Sequence, residues 1–182
     1  SLEVLEHLTD GPIGELPFMG CGTFDFGLIR ARVGRLSVSG ESGYEIHCSP
    51  LEHIVLRKTL LEAGASLGLR EVGFNALLSL RLEKSFGIWS AEFTQGYTPA
   101  QTGMDRWIDW DKGDFVGRKA AMAERDSGGP NEVIVTLEVD AEDADASGFE
   151  PIWKDGKRVG FITSGGYGHT VGKSLAMAML DR

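Results

Sequence analysis

Gly40-Glu41-Ser42-Gly43-Tyr44-Glu45-Ile46 puts two glycines and two carboxylates into seven residues, then runs into an alternating stretch, Tyr44-Glu45-Ile46-His47-Cys48. Successive side chains of a strand point to opposite faces. The alternation therefore predicts Tyr44, Ile46 and Cys48 on an apolar face, with Glu45 and His47 on the other. A carboxylate at mid-strand either faces water or is held for a ligand, and by pattern alone water is the commoner fate. His47 points away from Cys48 on this reading and is a poor base for that thiol.

Upstream, residues 24–38 read as β. Ile29, Ala31 and Val33 alternate with Arg30 and Arg32, and Leu36 and Val38 continue the pattern past Gly34. Leu2, Val4, Leu5 and Leu8 suit a helix fragment that Gly11-Pro12 ends. Downstream, Ser49-Pro50-Leu51-Glu52 predicts a helix start. Ser49 can cap, Pro50 has the favoured first-turn φ, and Glu52 completes a capping box. Leu51, Ile54, Val55 and Leu61 recur at helical spacing, and Gly64 ends the run. A second helix is predicted over 74–86, closed by Gly87. Phe74, Ala76, Leu77, Leu78, Leu80 and Leu82 make it apolar nearly all round, the pattern of a buried helix. Near its end stand Arg81, Glu83 and Lys84. A buried Arg needs a protein carboxylate or an anionic ligand as partner, and the pattern leaves both open.

Residues 88–116 are aromatic-rich and irregular, suiting either a loop-rich core edge or the lining of a planar-ligand cavity. Gly117-Arg118-Lys119-Ala120 opens a short helix through Ala123, and residues 125–131 make the best linker. Everything beyond reads as β. Val133, Val135, Leu137 and Val139 alternate, and Asp155-Gly156 is a type I′ hairpin signal. The acidic run 140–150 is most simply a solvated face. Residues 165–172 read as a loop before a last strand carrying Leu175, Met177 and Met179.

The 182 residues suit one domain or one plus a small second one, and the formal charge of −9 with no basic stripe argues against a nucleic-acid or membrane-surface partner. No apolar run approaches the roughly 20 residues needed to span a bilayer. Cys21 and Cys48 make no disulfide framework, which fits a reduced, cytoplasmic or matrix-like setting. His7, His47, His53 and His169 are scattered, so no metal site is expected. Two familiar motifs fail. Gly172-Lys173-Ser174 lacks a glycine at phosphate-loop spacing and leads into a strand pattern rather than a helix. In Gly20-Cys21-Gly22, Asp25 stands where a dinucleotide fold needs its third glycine.

Three blocks in order carry a resemblance: Gly40 to Ile46, Leu80-Arg81-Leu82-Glu83, and Gly160-Phe161-Ile162-Thr163-Ser164-Gly165. Together they resemble the glycine-cleavage T-protein (aminomethyltransferase) family. Leu80-Arg81-Leu82-Glu83-Lys84, Asp111-Lys112-Gly113-Asp114-Phe115-Val116-Gly117-Arg118 and the run from Thr163 to Ser174 are most similar to the folate-binding region of dimethylglycine and sarcosine dehydrogenases. The implied fold class is α+β: the C-terminal part of a T-protein-like folate-binding α/β domain over 1–125, followed over 126–182 by a small β-barrel that stops a few strands early.

The resemblance implies tetrahydrofolate bound in a cavity between folate-binding region and barrel, accepting a one-carbon unit from a methylated amine to give methylene-tetrahydrofolate. Glu45 would grip the pterin, whose ring N–H and exocyclic amine suit a carboxylate acceptor. Tyr44, Val38, Arg81 and Trp89 complete the implied cofactor-binding set. Arg81, Lys84, Arg106, Arg118 and Lys119 are candidate partners for the folate tail carboxylates. Val38 stands where T-proteins have Tyr, and Leu77-Leu78 replace an Arg-Asp pair of the family. The family's catalytic Asp would lie ahead of this chain, so no catalytic residue is expected within it, and the segment is not expected to act alone. FAD is implied only where a parent protein carries a flavin domain, and a flavoprotein domain or subunit is then a candidate partner. Two alternatives stand beside this reading: a non-catalytic folate-binding or assembly module, and an aminomethyltransferase acting on a lipoyl carrier.

Overall fold

A computed structural model describes residues 1–182, a mixed α+β chain with two antiparallel sheets. It divides into two compact units, Ser1–Leu77 and Leu78–Arg182.

The first unit holds helix α1 (Leu2–Glu6), strands β1 (Cys21–Phe26), β2 (Ile29–Gly34) and β3 (Glu45–His47), and helix α2 (His53–Gly64). The strands pair in the order β1-β2-β3. The β-run expected over 24–38 is two strands. Gly27, at φ +63, lets the chain reverse between Phe26 and Ile29. Beyond Gly34, Arg35 closes the ladder onto Met19 and Gly20, and Leu36 and Val38 lie in irregular chain. Within β2 the alternation holds: Ile29, Ala31 and Val33 are buried, Arg30 and Arg32 exposed. These three join Leu5, Ile13, Phe26 and Leu56 in a core cluster, against which Tyr44, Ile46, Cys48 and Leu60 pack. Fully burying a side chain of this size contributes about 1.5–3 kcal/mol.

Helix α2 departs from expectation in two ways. Its regular turns begin at His53, because Ser49 spends its hydroxyl proton on the Glu52 carboxylate at 2.6 Å instead of capping a helical N–H. The reciprocal half of the box does form, with Ser49 N donating to the same oxygen at 3.3 Å. Its buried face carries Leu56 and Leu60, whereas Leu51, Ile54 and Val55 are exposed. Apolar residues at 54, 55, 56, 60 and 61 surround most of the helix, so periodicity could not choose the face that the sheet takes.

Helix α3 (Phe74–Glu83) straddles the division between units. It ends before the expected 86. Ser85, at φ +59, closes it, with Phe86 N donating to Arg81 O at 2.9 Å. Gly87 serves close packing instead: a Cβ there would stand 2.7 Å from the Phe93 ring and 2.8 Å from Glu92 Cβ. Nor is the helix buried all round; only Arg81 and Leu82 are, and Phe74 is exposed.

In the second unit, helix α4 (Arg118–Asp126) runs past the expected Ala123, so Arg125 and Asp126 are helical rather than linker. Gly128 and Gly129, both at positive φ, turn the chain into β4 (Glu132–Val139). Strands β5 (Pro151–Lys154), β6 (Lys157–Gly168) and β7 (Lys173–Asp181) complete a sheet of order β4-β7-β6-β5, open at both edges rather than a closed barrel. Asp155 and Gly156, both at positive φ, form the expected hairpin turn. The loop expected over 165–172 is strand in its first half, since β6 runs to Gly168, and a turn over 169–172. Its glycines admit close neighbours: a Cβ on Gly165 would lie 1.9 Å from the Ala146 carbonyl oxygen, and one on Gly168 2.7 Å from Val171. Ile162, Ala176 and Ala178 form the core on one sheet face, with Val135, Leu137, Val139 and Ala146 against them. No helix is long and apolar enough to cross a membrane.

Candidate functional site

The ladder between β2 and β3 fixes Glu45. It pairs with Gly34, as Ile46 does with Val33 and His47 with Arg32. Cross-strand partners share a face, so Tyr44 and Ile46 turn to the core while Glu45 turns away with His47. Gly34 offers no side chain opposite Glu45, and Leu36 lies over it, 3.2 Å from where a Cβ would stand. The Glu45 side chain is 42% exposed, and its carboxylate meets His47 Nε2 at 3.4 Å, an ion pair only when the imidazole is protonated. A carboxylate so placed keeps most of its acceptor capacity for a ligand or water.

Tyr44 and Val38 flank it along the chain. Tyr44 packs against the core cluster, and Val38, in the irregular chain after β2, is partly exposed. Arg81 and Trp89 belong to the second unit. Trp89 is 84% exposed and sets its ring edge-on to Phe93 at 6.3 Å.

Of the two partners open to Arg81, the structure supplies the protein carboxylate. Arg81 Nη1 donates to Glu92 Oε2 at 3.3 Å, to Phe86 O at 3.1 Å, and approaches Met177 Sδ at 3.5 Å. Arg81 Nε is buried without a partner. Burial pulls the guanidinium below its ordinary value, and the Glu92 charge opposes that pull.

Glu92 is the residue that pattern reading missed. It is fully buried. One oxygen accepts from Ile88 N at 3.0 Å as well as Arg81; the other accepts from the hydroxyls of Thr163, at 2.7 Å, and Ser164. Four donors on one carboxylate satisfy it as burial requires. The only sequence signal was indirect: a buried Arg demands a carboxylate, and Glu92 lies in irregular chain where no periodicity marks burial. Elsewhere in the aromatic stretch, Trp110 lines a 420 Å³ cavity with Pro99, Ile108 and Val133, and Arg125 stacks 4.6 Å over its ring. The Glu83 carboxylate accepts from Thr170 N at 2.7 Å, pinning the turn between β6 and β7. That bond is the chief reason its carboxyl is held below the usual range.

The sequence profile described as the GCVT N-terminal domain matches residues 1–112. The chain belongs to the glycine-cleavage T-protein family. A second profile, the glycine cleavage T-protein C-terminal barrel domain, matches 133–182. Among curated T-protein relatives, mitochondrial dimethylglycine dehydrogenase of Mus musculus is 33% identical over 96% of this chain and 20% of its own length. Aminomethyltransferase of Bacillus subtilis is 31% identical over 98% of this chain and 49% of its own. A crystal structure of aminomethyltransferase T of the glycine cleavage system, from Bartonella henselae, superposes with a TM-score of 0.83 at 26% identity. It is matched over 98% of this chain and 48% of its own. The chain thus spans about half the length of the aminomethyltransferases it matches and about a fifth of the dehydrogenases.

Proposed function

We propose that this chain is the tetrahydrofolate-binding part of a folate-dependent one-carbon transferase, with Glu45 as the pterin acceptor. The reading rests on one observation above the others. Glu45 sits on the outward face of β3, and its recorded protein contact is a single His47 nitrogen at 3.4 Å. A half-exposed carboxylate fits a ligand edge that offers two adjacent N–H donors, because it can accept both in parallel. Holding that edge fixes the orientation of the ring system and hence of its reacting nitrogens. Tetrahydrofolate, when bound, supplies the nitrogens that take up the one-carbon unit. In the first unit Val38 offers exposed apolar surface for the ligand, and in the second unit Trp89 does so. Tyr44 contributes by packing β3 on the core, and Arg81 contributes to the second unit through Glu92.

The finer part of the proposal is a parent of the dimethylglycine or sarcosine dehydrogenase type, with a small methylated amine as one-carbon donor and FAD in a flavin domain or subunit. Similarity to dimethylglycine dehydrogenase at 33% identity supports it, as does Leu77-Leu78 in place of the family's Arg-Asp pair. Free Cys21 and Cys48 are consistent with a cytoplasmic setting. We assign the folate-binding module to 1–125 and the barrel module to 126–182, near the two profile matches.

The test is calorimetric titration of tetrahydrofolate into this chain and into Glu45→Ala. Saturable binding, weakened at least about thirtyfold in the variant, is expected from loss of a charge-assisted pair. Equal affinity of both proteins would remove Glu45 from the site, and binding by neither would favour a scaffold or assembly module over a folate-binding one.

A further inference from the structure

The acidic run after β4 lines an open cavity that the folate reading does not use. Its volume is about 730 Å³, within the range of small-molecule sites. Asp140, Glu142, Asp143 and Asp145 line it together with Glu138 and Lys173. Lys173 neutralises Glu138 alone, at 2.6 Å. Four carboxylates around one space are left without a cationic partner there.

A run of acids by itself is a solvated face. The cavity floor adds an independent observation. Ser174 pairs with Tyr167 across one ladder and with Val139 across the other, so the three share one face of the sheet. That is the face carrying Ala176 and Ala178, against which Ala146 of the acidic segment packs. All three residues line the cavity. Ser174 is 7% exposed, and its hydroxyl has no hydrogen-bond partner. An orphaned buried hydroxyl calls for one.

We infer that this cavity binds a linear organic polycation of the aliphatic polyamine class. The ammonium groups would meet the loop carboxylates, and one would donate to the Ser174 oxygen. No three of the acids converge with the spacing of a metal site, so the negative charge suits an extended cation better than a single ion. A monoamine would leave most of the carboxylates uncompensated. The Tyr167 ring, partly exposed at the wall, adds an attractive face for an ammonium.

Spermidine is the probe, titrated calorimetrically into the 182-residue chain at low and at physiological ionic strength. Saturable one-site binding is expected at both. Asp143→Asn with Asp145→Asn should weaken it about tenfold or more, and Ser174→Ala several-fold. Glu15→Gln, an exposed acid of the first unit, should leave it unchanged. The paired Asn variant keeps the test sound if Ser174→Ala perturbs the sheet, because both aspartates are exposed. Absence of saturation, equal weakening by Glu15→Gln, or magnesium binding as tight as spermidine would each overturn the proposal.

Discussion

Glu92 is fully buried with Arg81 beside it, and their pairing sets how the second unit responds to single changes. Removing one member of a buried pair strands the other in a poor solvent. Glu92→Ala should therefore destabilise the protein by about 3–5 kcal/mol, measured by urea unfolding. Arg81→Met combined with Glu92→Met should lose much less, because no charge is left uncompensated. A double-variant loss equal to the sum of the Arg81→Met and Glu92→Met losses would mean that the pair is not coupled. Glu83 gives a pH dependence. Its folded carboxyl is depressed, chiefly by the Thr170 N–H, so its hold on the turn is present at neutral pH. The hold is lost as pH falls through the depressed value. The protection of the Thr170 amide relative to its intrinsic exchange rate should fall on acidification in the wild type, and Glu83→Gln should show no such step. Unchanged protection across that range would contradict the assignment. Trp89→Phe, at an exposed site, should leave stability within about 0.5 kcal/mol.

Among the elements, β6 is the most demanding. It threads Gly160, Gly165 and Gly168 past neighbours that leave no room for a side chain. Gly165→Ala should cost about 1–3 kcal/mol or more, since the obstruction is the Ala146 backbone and not a flexible side chain. A loss below about 0.5 kcal/mol would show that residues 146–148 yield easily. The element also shows where sequence reading stops. A glycine cluster looks the same whether it turns the chain or admits a neighbour, because both uses come from the missing Cβ. The hairpin at Asp155-Gly156 was legible, since both residues need positive φ and the flanking strands alternate. In α2 the helix was legible but its inward face was not. In α3 the stop fell on Ser85, a residue whose type gives no warning of a left-handed turn.

At the scale of the molecule, each unit carries its own core, centred on Ile13, Val33 and Leu56 in one and on Ile162, Ala176 and Ala178 in the other. Ile13→Ala should destabilise the first unit by about 2–5 kcal/mol, read from its urea transition. A change below 1 kcal/mol would mean a loosely packed site. The sequence by itself determined the α+β class, the alternation in β2, β3 and β4, the I′ hairpin and the family. Those features depend on local periodicity, on φ preferences, or on short blocks in a fixed order. It also put Glu45 and His47 on one face of β3, because a period of two leaves no choice. The tertiary structure decided which partner Arg81 takes, which face of α2 is buried, that Gly165 packs instead of turning, and that Glu92 is enclosed by four donors. Each of those depends on what lies across space from the residue, and residues distant in the chain supply it: Thr163 and Ser164 for Glu92, Ala146 for Gly165, Thr170 for Glu83.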